Sequence, residues 1–180
     1  TIVTKWATDL LPSEIDKCPV EPYDEEKENI FFVGSMQGEN IRRFENIIKS
    51  KGKNFVNVGG YSGRFSLYDG NPPDINQNIA MVRDSYISFD IREKPFFNMG
   101  KYYPCRIFKS LSYGKWCGSN MPALKDLFGD YVTFDNNLDT LYDRVVEDYR
   151  SCTEKKMREA MNFIRDEHTY VNRLNDLLKL

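Results

Sequence analysis

The run from Tyr103 to Asn120, YPCRIFKSLSYGKWCGSN, holds the residues with the most chemistry to offer. It reads as a loop, a short helix with a basic head, a glycine stop and a buried strand, and the start of such a helix is where backbone amides hold an anion. Arg106 and Lys109, with Lys101 just upstream, put positive charge at the positive end of the helix dipole. That costs stability unless an anion answers it. A bound phosphate or the chain's own Asp and Glu would both do so, and the segment alone leaves the two open. Arg106 offers a planar fork suited to a diphosphate, the amide of Ile107 joins the helix-end field, and Lys109 adds a second cation.

Other candidates fall at the ends of expected strands. Gly34 and Ser35 close the first, where a missing side chain permits close approach by a ligand or simply makes a tight turn. Arg64 lies in the loop GGYSGRFSLYDG, interleaved with Tyr61, Phe65 and Tyr68. Those rings suit stacking on a base or sugar, or covering a sheet edge. Asn120 follows the fourth strand and suits either a hydrogen bond to sugar or phosphate or a helix cap before Pro122. His168 is the only histidine, so this chain by itself makes no Ser or Cys triad and no two-histidine metal site, and packing or a helix-end contact is expected for it. Carboxylates at Asp24 to Glu28 and at Asp126 and Asp130 have nothing to bring them into one cleft, which argues against a glycosidase pair.

The elements that must position these groups alternate. Strands are expected at 30–34, 54–58, 86–91, 116–119 and 131–134, and helices at 39–50, 75–84, 106–113, 123–127, 138–148 and 154–180, the last broken near His168 and Thr169. Such alternation implies right-handed crossovers and an open, Rossmann-like α/β fold, with a parallel sheet of about five strands and helices on both faces. Ligands of such sheets bind at the carboxyl ends of the strands. The loops at 34–38, 59–70, 92–104 and 119–122 end there. Residues 1–28, with Pro12, Pro19, Pro22 and an acidic cluster, read as a linker or N-terminal extension to a domain spanning 29–180.

The whole chain fits one domain: 180 residues, 41% apolar, 14% aromatic, with 25 basic against 27 acidic side chains. A net charge of -2 gives no global attraction to nucleic acid, so any contact with a polyanion is local. No membrane span or signal peptide is expected. Four cysteines without a C-x-x-C pair read as reduced thiols, pointing to a soluble, cytoplasmic protein. The first residue is Thr1, so the chain reads as a fragment or a processed product.

Read together, Pro104, Arg106, Phe108, Lys109 and Gly114, then Phe128 and Gly129 before a strand, then His168, Thr169, Tyr170 and Arg173, resemble the nucleotide-sugar-binding half of GT-B glycosyltransferases, the CgeB-like group in particular. The resemblance covers roughly residues 30 to 180. It implies a transferase that takes a nucleotide-diphospho-sugar as donor, with no metal and no cofactor, and an unidentified glycan, protein or small molecule as acceptor. Gly34, Ser35, Arg64, Arg106, Ile107, Lys109 and Asn120 are its expected donor-binding residues. Two departures stand out. The group's glutamate, an acceptor for ribose hydroxyls, is replaced by Lys109, which only donates. The acceptor-side domain is also lacking, so a further domain or a partner chain would supply it. A non-catalytic nucleotide- or sugar-binding module is the alternative that keeps the fold, and a flavodoxin-like domain is a third.

Overall fold

The computed structural model describes residues 6–34, 38–59, 73–94 and 103–179. Ser35, Arg64, Lys101, Tyr61, Phe65 and Tyr68 therefore lie outside the described residues. The chain begins with α1 (Pro12–Lys17), and then β1 (Asn29–Phe32), α2 (Glu39–Ser50), β2 (Asn54–Asn57), α3 (Ile75–Asp84) and β3 (Ser88–Asp90) follow. After them come α4 (Cys105–Ser112), β4 (Cys117–Ser119), α5 (Pro122–Phe128), a 3-10 turn (Gly129–Tyr131) and β5 (Thr133–Phe134). Three helices close the fold: α6 (Leu138–Ser151), α7 (Glu154–Glu167) and α8 (Tyr170–Leu178).

The architecture is mixed α/β, and every strand pair is parallel. The strands fall into two sheets, β1-β2 and β3-β4-β5, where the sequence led us to expect one. The seam between β1 and β3 explains the difference. Tyr86 N donates to Asn29 O at 2.7 Å, but one step on a serine replaces the ladder. Ser85 Oγ accepts from Phe31 N at 3.1 Å and donates to Ile87 O at 2.6 Å. The strands thus stay neighbours through a side-chain relay.

Hydrophobic periodicity accounts for the packing. Ile41, Phe44 and Ile48 form the buried stripe of α2, and Leu138, Leu141, Val145 and Tyr149 that of α6, so these helices pack together. Ile107, Phe108 and Leu111 of α4 meet α7, which contributes Met157, Ala160, Met161 and Ile164. The centre of β4 is Gly118, where a Cβ would run into the Val145 methyl. Glycine there lets α6 lie close on the sheet. The break expected near His168 is real: Thr169 caps α8 through Asn172 N at 3.2 Å, while the Asn172 side chain accepts from Thr169 N at 2.7 Å.

Residues 6–28 are an extension docked on the domain, not an extended linker. Ala7, Leu10 and Ile15 are buried, and Thr8 forms a parallel bridge with Thr169. Beyond α1 the backbone crosses the amino-terminal side of β3 and β4 as a strap. Glu21 N donates to Gly114 O at 2.9 Å, Arg83 Nη1 donates to Pro19 O and to Tyr113 O at 2.7 Å each, and Tyr149 Oη bonds Glu21 O at 2.6 Å. Gly114 has φ 76°, and a Cβ would strike Pro19 O. The glycine that stops α4 is also where the strap lies flat on the fold.

Candidate functional site

The carboxyl ends of β1 and β3 bring the polar residues together. Strand β3 is buried along its whole length, so its last residue, Asp90, carries a carboxylate with no solvent exposure into the seam. Such a group needs charged partners. Two arginines answer it. Arg92 Nε and Nη2 reach the two carboxylate oxygens at 2.8 and 2.9 Å, and Arg106 Nη1 pairs with Oδ1. Both arginine side chains keep some exposure to solvent, 21% and 18%. One buried negative charge thus holds two positive ones at the edge of the fold.

Arg106 is further fixed by the end of β1. Its Nε and Nη2 donate to Val33 O at 3.3 and 3.0 Å, and its guanidinium lies 4.1 Å from the centre of the Phe32 ring. Gly34 follows with φ 144°, and a Cβ there would collide with Arg106 Nη2. A Cβ on Gly59, at the end of the next strand, would strike the Gly34 carbonyl. The missing side chain at Gly34 therefore admits a guanidinium and a neighbouring backbone.

Arg92 is held by its backbone as well. Asn120 Oδ1 accepts from Arg92 N at 2.8 Å, and Asn120 Nδ2 donates to Arg92 O at 2.9 Å, as a strand partner would. Asn40 Nδ2 donates to the same carbonyl at 2.8 Å. Ser119 Oγ donates to Asp90 O at 2.8 Å and accepts from Met121 N at 3.1 Å. Next along the chain, Glu93 Oε1 accepts from Asn40 N at 2.6 Å, so its carboxylate faces the positive end of α2. The turn after β3 is tied to α2 and β4 at four points.

Of the expected residues, Gly34, Arg106 and Asn120 meet around Asp90. Asn120 spends its amide on Arg92 and is not a helix cap: Met121 is the N-cap of α5. The Ile107 side chain is fully buried, and its amide lies in the first turn of α4, whose N-cap, Pro104, provides no side-chain acceptor. Lys109 points elsewhere, pairing with Asp9 Oδ2 at 2.7 Å, and Asp9 Oδ1 accepts from Tyr113 Oη at 2.5 Å. Burial, then that carboxylate, push the Tyr113 phenol far above its ordinary range. The cations at the head and middle of α4 are thus answered by the chain's own Asp90 and Asp9. Arg92 and Asp90 escaped the sequence reading, although FDIRE at a strand end carried the signal: an aspartate closing an apolar run, with a cation two residues on.

His168 is buried at the end of α7 against Phe108, Phe128 and Phe163, and Arg173 Nη2 lies 2.7 Å from its Nδ1. Packing and a helix-end contact are its setting. The four cysteines are free thiols. No helix among the described residues is long and apolar enough to cross a membrane. Comparison with protein-family models, with curated proteins and with solved structures finds no match to the chain.

Proposed function

We propose that the chain is the donor-binding domain of a glycosyltransferase, holding a nucleotide-diphospho-sugar at the carboxyl ends of β1 and β3. The observation that carries this reading is the pair of guanidiniums, Arg92 and Arg106, sharing the single buried carboxylate of Asp90. Guanidiniums fixed beforehand at a strand end are what a diphosphate leaving group needs as its charge develops. The uncapped first turn of α4 adds amides beside it.

Topology supports the same place. Taken across the seam, the strands run β2-β1-β3-β4-β5, the flavodoxin-like order of doubly wound sheets, in which the chain passes from one side of β1 to the other between β2 and β3. Crevices at such reversals hold ligands in open α/β sheets. In the transfer itself the bond from the anomeric carbon to the diphosphate breaks and the acceptor oxygen bonds that carbon. The acceptor's proton goes to a base on a further domain or partner chain. Asp90 is the positioning residue that sets both arginines.

A second reading, a non-catalytic nucleotide- or sugar-binding module, is favoured by Lys109, which is spent on Asp9. Calorimetric titration with UDP, GDP, UDP-glucose and GDP-mannose, repeated on Arg92→Ala and Arg106→Lys, tests both. Donor binding predicts a loss of about tenfold or more per variant, the scale of a charged hydrogen bond to phosphate. Binding without transfer to any acceptor, once an acceptor-side partner is present, favours the module. A folded protein that binds none of the four ligands removes both readings.

A further inference from the structure

At the other end of α5 from the Asp90 edge, the end of α5, the 3-10 turn and the face of α7 line an open hollow of about 720 Å³. Its floor is aromatic. Tyr131 and Phe163 lie side by side with ring centres 5.8 Å apart, and Phe128 stands edge-on to Phe163 beneath them. Both upper rings are half-buried, so each keeps surface open to the hollow.

The rim is polar. Asp126, Asp130 and Glu159 supply carboxylates and Lys155 and Lys156 supply ammonium groups. Among the described residues none of these five forms an ion pair, although both signs of charge line one opening. Lys156 instead lies 5.0 Å over the Trp116 ring. Acceptor-only and donor-only groups, most of them open to solvent, therefore stand around an aromatic floor.

The chemistry of such a hollow selects a class of ligand. Three negative and two positive groups nearly cancel, which gives little attraction to a strongly charged peptide or to a nucleic acid. Apolar ligands gain nothing from the rim, because carboxylates and ammonium groups stripped of water without partners are costly. A pyranose matches both parts: one face is a patch of C–H groups that lies flat on a ring, and its rim of hydroxyls both donates to carboxylates and accepts from ammonium groups. The volume falls within the range of small-ligand clefts.

We infer that the hollow between α5 and α7 is a saccharide-binding site, in which a neutral sugar stacks on Tyr131 and Phe163 and bonds Asp126, Asp130, Glu159 and Lys155. The site lies a helix length from the Asp90 edge, about 10 Å along the seven residues of α5, so it does not depend on the donor reading. If the chain does transfer sugar, this surface would hold a glycan away from the reacting bond.

Saturation-transfer NMR on the full chain with methyl α-D-glucoside, methyl β-D-galactoside, methyl α-D-mannoside and methyl N-acetyl-β-D-glucosaminide tests the site. We expect transfer to the ring C–H protons of at least one of them, with amide shifts confined to 126–131 and 153–163. Tyr131→Ala should weaken binding about tenfold, the scale of one aromatic contact, and Asp130→Asn with Glu159→Gln should weaken it without altering the melting temperature. Arg106→Ala should leave it unchanged. No transfer to any of the four glycosides overturns the inference, as does binding that Tyr131→Ala and the carboxylate variants, folded by their melting curves, leave intact.

Discussion

Replacing Lys115 with methionine should make this protein more stable at neutral pH. Lys115 follows Gly114 at the end of α4 and has no solvent exposure. Burial, then the neighbouring charge of Lys27, lower its ammonium from the ordinary 10.5 to about 7, with Arg83 acting in the same direction and Glu21 and Asp84 opposing. A folded-state value below the unfolded one means that the unfolded chain binds more protons between about pH 7 and 10.5. Stability therefore rises with pH across that window, and the full penalty is present below it. The gap converts to on the order of 5 kcal/mol. The flexible stem lets the charged ammonium relax toward water, so we expect Lys115→Met to gain about 2 kcal/mol at pH 6 to 7. Little is lost with the ammonium. Its 3.2 Å bond to Arg83 O is backed by Lys27 Nζ, which donates to the same carbonyl at 2.7 Å, and beside the Tyr149 ring, 5.1 Å from Nζ, a methionine thioether replaces the ammonium. Urea unfolding at intervals from pH 6 to 10 isolates the residue as the difference between variant and parent. That difference should fall to less than half of its pH 7 value by pH 10, and it vanishes only above the unfolded value of 10.5. A variant less stable than the parent at pH 7, or a difference that does not change with pH, refutes the reasoning.

Two further outcomes follow from the same contacts. Asp90→Asn leaves Arg92 and Arg106 facing a neutral amide, and we expect about 3 kcal/mol of lost stability in chemical denaturation at pH 7, because two partly buried cations lose their counter-charge; a loss below about 0.5 kcal/mol would show that the cluster is solvated. Gly118→Ala drives a methyl into Val145 and should cost about 2 kcal/mol, and adding Val145→Ala should return part of it in a double-mutant cycle of thermal melts. Additive losses in that cycle would show that the close approach of α6 to β4 is not the cause.

Much of the fold was legible because it is local. Strand and helix patterns depend on residues a few positions apart, so the runs at Ile30 and Ser88 and the stripes of α2 and α6 could be read directly. The stop at Gly114 and the break near His168 and Thr169 are local in the same sense, since each needs only its own turn. Arg106 was legible as a cation wanting an anion, but not which anion. Its partner Asp90 lies sixteen positions upstream, and Asp9 reaches Lys109 from the far end of the chain. Those pairings depend on which strands lie side by side and on where the extension docks, and no spacing along the chain records either. The seam is a similar case. Ser85 falls between the expected helix at 75–84 and strand at 86–91, and it bridges β1 and β3 only because Phe31 N and Ile87 O arrive on either side of it. Residue types thus determined which groups would need partners and where the chain would turn. The tertiary structure decided which partner each received, because burial and hydrogen-bond geometry are properties of neighbours in space.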